Sequence, residues 1–472
     1  MSFKKTEATR YLCAAAYLDE KFSEQVIREV IEEEYKAIGT SYGIDLPTVV
    51  KHCCAAQRGK ISRDNWLTLL FVLTILLILI PRALILFYLF YVIACTIVYS
   101  HAWTSYYKVV AKFLLMGNFD PDAVTPHLDE NLKNKLQEIA SIENSNVIIC
   151  SGFSPFVGSG SNIGGWSFAL NLNQGKEEMG GQILNPLPFQ IQDLYEQVTK
   201  GIKGLELKGL SIEDRLCVHG RRIRDDRRFI PDPFKRPRVL VEPSLIQAFV
   251  ENTSQSATRH YKCFRVTSWS GELVLSMFLR FSRIGQNLFA EASYFLLPPL
   301  KEEYHKVDKF QLRPTLRQQL ELVGQSAIKT IFLWPFAPLA VFFRILRPSR
   351  LANKRRDILR LIREDPTFDY GVTNSVREVA SSSKYQQYFQ MLDKEMYVKV
   401  IEREILNQII NFLDAKNIDT SEFKERRAAI LNNGVIVSGG SLSAENLAVG
   451  SQSSVLHAIS NKAATSAAGT DR

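Results

Sequence analysis

Two long uncharged runs separated by a proline and an arginine set the strongest limit on what this chain can become. From Trp66 to Ile80 the sequence WLTLLFVLTILLILI has no charged residue, and neither has ALILFYLFYVIACTIVYSHAW from Ala83 to Trp103; only Pro81 and Arg82 stand between them. Read as one helix, the whole stretch would be about 57 Å long at 1.5 Å per residue, nearly twice a hydrocarbon thickness of roughly 30 Å, with Arg82 at its centre. A transmembrane helical hairpin with Pro81-Arg82 at the far surface removes both problems. Its second limb, about 31 Å, spans comfortably. The first, about 22 Å, needs Asp64 and Asn65 near the interface or a locally thinned bilayer. Trp66, Trp103, Tyr106 and Tyr107 supply aromatic anchors on one side. Folded into a soluble core, two such runs would leave almost no face for water.

The flanks set the orientation. Lys51, Arg58, Lys60 and Arg63 precede the first run, Lys108 and Lys112 follow the second, and Arg82 alone lies in the turn. The positive-inside rule then predicts a multi-pass protein of the cell membrane with both termini cytoplasmic. The N-terminal residues contain no apolar core followed by a small-residue cleavage site, so they do not form a secretory signal peptide.

A second apolar stretch, Ile331 to Phe343 (IFLWPFAPLAVFF), contains Pro335 and Pro338 and is too short to cross at helical rise, so it reads as re-entrant, interfacial or core. Directly after it, residues 344 to 363 hold eight basic residues against the single acid Asp357, in a chain whose overall net charge is only +9. The chain is therefore not generally basic; it owns one basic block. An apolar wedge centred on Trp334, followed by Arg344, Arg347, Arg350, Lys354, Arg355 and Arg356, suits a bilayer surface with anionic headgroups, because apolar burial and charge attraction reinforce each other. A solvated helix face is the plainer reading, and nucleic acid is disfavoured.

With a mean hydropathy of -0.06 and 472 residues, two or three units able to bury cores are expected around these segments. The fold class predicted is α+β: an N-terminal helical region (1–60), the transmembrane hairpin (61–112), a cytosolic α+β domain with a mostly antiparallel sheet (113–325), the interfacial wedge and basic block (326–365), C-terminal helices (366–431) and a Ser/Gly/Ala-rich tail (432–472). Strands are predicted at Asn146–Cys150 and Trp166–Leu172, a helix over Phe189–Leu205 and another from Pro243. The strongest β signal is a meander of Tyr261–Trp269, Glu272–Ile284 and Asn287–Leu297, joined by Ser270-Gly271 and Gly285-Gln286. Residues 384–416 form a long helix whose stripe of Tyr385, Phe389, Leu392, Met396, Ile401, Ile405, Ile409 and Phe412 either packs on the domain or pairs with a second copy.

Few motifs carry chemistry. Seven cysteines without a C-x-x-C pair indicate a reducing compartment and neither a disulfide framework nor a zinc ribbon. His52, Cys53 and Cys54 are adjacent and cannot all converge on one ion, so no metal or other cofactor is expected. The loop holding Gly158, Gly160, Gly164 and Gly165 could present a backbone nest to an anion, although it matches neither a dinucleotide fingerprint nor a P-loop. Arg221, Arg222 and Arg224, in a turn with Asp225, Asp226, Arg227 and Arg228, could hold an anion or a headgroup; the plainer reading is a solvated, internally paired turn. No catalytic residues are identified.

The stretches SGFSPFVGSGSNIGGWSFALNL, SIEDRLCVHGRRIRDDRRFIPDPF and FLRFSRIGQNLFAEASYFLLPPL resemble an uncharacterised family of bacterial, largely actinobacterial, two-span membrane proteins. That resemblance covers most of the chain and implies architecture, not activity. The tail NNGVIVSGGSLSAENLAVGS resembles short amyloid-like signalling motifs of bacterial conflict-system proteins, with Ala448 where those motifs favour glutamine. Self-association through residues 384–416 or the tail is one consequence. The functional expectation is a non-enzymatic sensing, assembly or signalling component of a bacterial inner membrane. The alternative is a membrane-attached enzyme acting on a phosphorylated or lipid-linked substrate, with the glycine loop and the arginine turn meeting in one pocket.

Overall fold

The computed structural model describes residues 3–78, 84–123, 130–178, 181–251 and 258–432. The expected turn at Pro81-Arg82 and the expected tail from residue 433 onward lie outside the described residues.

Helices dominate the first part of the chain. Helix α1 (Glu7–Leu18) starts at Thr6, whose hydroxyl accepts from Thr9 N–H; α2 (Glu20–Val26) starts at Asp19, whose carboxylate accepts from the N–H groups of Lys21 and Phe22. Each cap satisfies donors that the first helical turn leaves orphaned. A π-helical turn, Ile27–Glu32, follows α2. Then come α3 (Leu46–Ile78), α4 (Leu84–Trp103), a second π-helical turn (Thr104–Val110), the three-residue α5 (Ala111–Phe113) and α6 (Glu130–Ile142).

The sheet has six strands in the order β1-β3-β4-β5-β6-β2 and is mostly antiparallel, as the sequence predicts. Strand β1 (Val147–Cys150) pairs in parallel with β3 (Leu210–His219), Val147 opposite Leu216. Strand β3 pairs antiparallel with β4 (Thr258–Ser268), and β4 with β5 (Leu273–Ile284), in registers that set Glu213 opposite Cys263 and Phe264 opposite Met277. Strands β6 (Asn287–Leu297) and β2 (Ser161–Asn171) complete the sheet. The predicted meander is present as β4, β5 and β6. Its first link is a single 3-10 turn, Trp269–Gly271, in which Trp269 and Ser270 both take positive φ and Trp269 Nε1 donates to Asp393 at 2.9 Å. Strand β3 had no periodic signal to announce it, since Glu213, Asp214 and Arg215 interrupt its apolar run.

The remaining helices are α7 (Ile191–Gly204), α8 (Pro243–Glu251), α9 (Leu316–Glu364), α10 (Val376–Val379), α11 (Tyr388–Ala415) and α12 (Ser421–Asn432). The 49-residue α9 corrects one expectation. Residues 331–343 are not a short isolated element; they sit inside a helix that begins at a capping box between Thr315 and Gln318 and carries Pro335, Pro338 and Pro348 within it.

The chain divides into two compact units. The larger comprises residues 1–161, 206–280 and 295–397. One of its cores joins α1, α2 and the lower part of α3 through Leu12, Phe22, Val49 and Val50 to Tyr304 and Val307. Another lies under β1 and β3, where Val147, Leu216 and Val218 meet Phe229, Ile362 and Tyr370. The smaller unit comprises residues 162–205, 281–294 and 398–472. There Tyr195 packs against Phe281 and its hydroxyl accepts the Phe281 N–H at 2.8 Å, Phe168 packs on Phe423 with centroids 4.0 Å apart, and Tyr294 Oη donates to Glu402 at 2.6 Å. The long C-terminal helix follows its predicted stripe only in its second half: Ile401, Ile405 and Ile409 are buried, whereas Phe389, Leu392 and Met396 are exposed.

Candidate membrane-interaction site

The apolar residues of α3, α4 and α9 pack on each other. Leu67 and Leu70 of α3 meet Ala94 and Val98 of α4, and Trp334 and Ala337 of α9 close the cluster. Trp334 is only 5% exposed, with the rings of Phe71, Phe87 and Tyr91 around it at centroid distances of 6.3, 5.8 and 6.3 Å. The expectation of an outward Trp334 wedge is therefore corrected: Trp334 faces inward, because its indole is the largest ring available to fill the cleft between α3 and α4. The outward apolar surface comes from its neighbours. Ile331, Phe332, Phe336 and Phe342 on α9, Leu69, Val72, Ile75 and Leu76 on α3, and Tyr88, Leu89 and Val92 on α4 are all exposed, Phe332 by 66%.

Among the described residues two helices are long and apolar enough to cross a membrane, Leu86–Phe113 and Leu316–Glu364. The first is the second limb of the predicted hairpin. The second is α9, in place of the predicted first limb, whose described apolar part forms the end of α3.

Contacts along α9 run in two directions. Gln318 and Leu322 share a cavity with Tyr107 and with Leu18 of α1; further along, Tyr91 Oη donates to Ala327 O at 3.1 Å, and Trp334 reaches Phe71 and Phe87. Beyond the two prolines the helix comes back: Arg344 donates to Asn65 at the foot of the apolar part of α3, and Arg347 pairs with Glu32 at 2.6 Å. Both flanks of the apolar stretch thus touch the N-terminal helices, and only its middle reaches between α3 and α4. Pro335 and Pro338 each remove a backbone donor and clash with the preceding turn, which is the ordinary cause of a helix bend.

The basic block meets three consecutive glutamates. Besides Arg347 with Glu32, Lys354 lies 3.8 Å from Glu33 and Arg355 2.6 Å from Glu34. Arg350 sits over the Phe343 ring at 5.0 Å, and Arg356 donates to Asn353 at 2.6 Å. The cationic surface is thus partly matched from within the chain. The same holds at the foot of α3. Lys60 pairs with Glu20 and Glu24, and the buried Arg63 with Glu20 and Asp64. Burial pushes the Glu20 carboxyl up, but Arg63 and Lys60 outweigh it and hold it down at about 2.

The predicted anion loop and the predicted arginine turn each have partners of their own within the chain. Gly158 N–H and Gly160 N–H both donate to Glu378 Oε1 at 2.9 Å, while Ser375 N–H donates to Oε2 at 2.7 Å. The nest is real, and its anion is a side chain of the same protein. Burial raises the Glu378 carboxyl above its ordinary value despite these three donors. A Cβ on Gly158 would lie 2.3 Å from Thr40 O, and one on Gly160 2.1 Å from Leu296 O, so both glycines serve close backbone approach. Gly164 and Gly165 belong to β2, where with Asn162, Trp166 and Glu291 they line a shallow cleft of the smaller unit. In the turn, Arg221 Nε donates to Asp369 at 3.3 Å, Arg224 donates to Asp365 O at 2.5 Å, and Arg222 is exposed. Asp369 also accepts from Ser151 Oγ at 2.7 Å. Ile223, Phe229 and Ile230 anchor the turn in the core.

Sequence reasoning missed Glu378 and Asp369. The first carries a signal: Ser375-Val-Arg-Glu378 is a capping-box spacing, and the structure forms that box. The second carries none.

An α+β chain with an exposed apolar helical layer and a filled glycine nest is the class this geometry defines. Residues 165–444, more than half the sequence, match the AbeC-like domain, and the chain belongs to that family. No curated protein and no solved structure matches it.

Proposed function

We propose that this protein is an integral membrane component whose α3 and α4 cross the bilayer, whose α9 dips between them and returns, and whose soluble parts stand at the cytoplasmic face with both termini. The observation that carries this reading is the outward apolar surface shared by three helices. Contiguous apolar patches on soluble monomers rarely exceed a few hundred Å², and an all-round apolar helix belongs in lipid or in a core. At about 30 Å, the 20 residues of α4 match the hydrocarbon thickness. The basic flanks keep their topogenic role even where they are paired, since the rule counts lysine and arginine rather than net charge.

The role that fits is sensing or assembly at the membrane surface, with the basic block of Arg347, Lys354 and Arg355 next to anionic headgroups. The enzymatic alternative needs the glycine nest and the arginine turn to receive a substrate anion together. Glu378 and Asp369 hold those positions, and neither the cavity shared by Leu18, Tyr107 and Leu322 nor the cleft beside β2 is lined by both segments.

Fractionation tests the reading. The full chain should stay with membranes through an alkaline carbonate wash and need detergent for release, and a fluorescent reporter fused after Arg472 should be active inside the cell. Release by carbonate would overturn the spanning reading; a reporter detected only outside would overturn the orientation.

A further inference from the structure

Where the π-helical turn after α4 meets the start of α9, a cavity of about 470 Å³ opens at the foot of the apolar layer. That size lies within the range of roughly 300–1,000 Å³ usual for ligand sites. Its aromatic wall is Tyr106, Tyr107 and Phe310, with Tyr106 and Tyr107 centroids 5.6 and 6.1 Å from Phe310. The wall continues up α4 as a ladder of rings: Tyr107 to Trp103 at 4.8 Å, and Trp103 to Tyr99 at 5.9 Å. An acyl chain lying along α4 would follow this ladder and deliver its headgroup to the cavity.

The polar lining has both signs. Lys306 and Lys309 line the cavity, both are exposed, and among the described residues neither side chain makes a hydrogen bond or ion pair. Glu303, on the same rim, likewise has no ion pair among the described residues, and Glu321 lies opposite on α9, paired with Arg317 at 3.3 Å. We propose that this cavity binds the headgroup of a zwitterionic, primary-amine phospholipid, the phosphate against Lys306 and Lys309 and the ammonium against Glu303 and the tyrosine faces. A purely anionic headgroup would satisfy the lysines and be repelled by Glu303 and Glu321. A quaternary ammonium has no N–H to give a carboxylate, so the primary amine is favoured over choline. The proposal rests on the membrane reading above and specifies which lipid the protein holds.

Native mass spectrometry of the full chain in detergent, given equimolar phosphatidylethanolamine, phosphatidylcholine and phosphatidylglycerol, tests it. Phosphatidylethanolamine should be retained about tenfold better than either competitor, the worth of one or two charge-assisted hydrogen bonds. Lys306→Glu with Lys309→Glu should remove most of that retention, and Glu303→Gln should abolish the preference over phosphatidylglycerol while leaving phosphate binding. These three positions are surface sites, so the variants should fold, which circular dichroism checks. Equal retention of the three lipids, or a preference unchanged in the variants, would overturn the site while a chain that still needs detergent leaves the membrane reading standing. A chain that stays in solution without detergent would overturn both.

Discussion

Trp334 meets Phe71 edge to face, with ring centroids 6.3 Å apart and planes at 86°. This contact fixes the middle of α9 against α3, and the burial of Trp334 makes it the central weight of the apolar layer. Trp334→Ala should cost about 3–5 kcal/mol, the range for truncating a large buried ring, whereas Trp334→Phe should cost less. Thermal unfolding in mild detergent checks this. An alanine variant as stable as the parent would mean that α9 does not enter the cleft.

Glu378 joins three backbone donors across separate segments, two from the glycine loop and one from Ser375. Glu378→Ala leaves all three unsatisfied, and each buried orphan donor costs about 1–3 kcal/mol, so this variant should be among the most damaging in the larger unit. Glu378→Gln keeps one acceptor oxygen and should be milder. If the nest instead served a free anion, phosphate would stabilise the parent protein in a thermal shift assay; the occupied nest predicts no shift.

Glu32, Glu33 and Glu34 face Arg347, Lys354 and Arg355 across half-exposed pairs. Exposed pairs contribute roughly 0–1 kcal/mol each, so replacing the three glutamates by glutamine should barely change stability. It should however free Arg347, Lys354 and Arg355 of the basic block, and Lys135 with them, each cation worth about 1 kcal/mol near an anionic surface. The triple variant is therefore expected to favour anionic lipid in reconstitution more than the parent does, with the difference vanishing at high salt. No change in lipid preference would show that the basic block does not face the headgroups.

How far the sequence was legible depended on whether a signal was local. Uncharged runs, the meander and the amphipathic helices each declare themselves within a dozen residues, and α4, α7, α8 and β4 to β6 formed where the pattern placed them. Partnerships between distant residues do not declare themselves. Nothing near Trp334 names Phe71, and nothing near Gly158 names Glu378. The N–H groups of Gly158 and Gly160 do converge on a carboxylate, and it is supplied by a residue more than 200 positions away. The apolar stretch with Pro335 and Pro338 reads locally as a short element, although in a packed bundle neighbouring helices tolerate proline within a continuing helix.

Part of the acid response of the larger unit follows from Glu213 on β3. Burial pushes this carboxyl up, but Arg265 and Arg215 outweigh it and hold it down at about 2; Arg265 Nη1 lies 3.1 Å away, and both guanidiniums are buried. Its neighbour Asp214 is likewise held at about 2, burial being overcome by His260 and Lys262. A carboxyl whose folded value lies below its unfolded one binds fewer protons when folded. The stability it contributes is fully present above the unfolded value, near 4 to 4.5, and is lost as pH falls toward about 2. The contribution of these two carboxylates to the denaturant midpoint should therefore be flat from pH 7 to about 5 and fall steeply between about pH 4.5 and 2. Glu213→Gln should lower the midpoint at neutral pH, because two buried arginines lose their carboxylate, and should flatten the acid limb. A variant with the parent's full acid slope would place the titrating groups elsewhere.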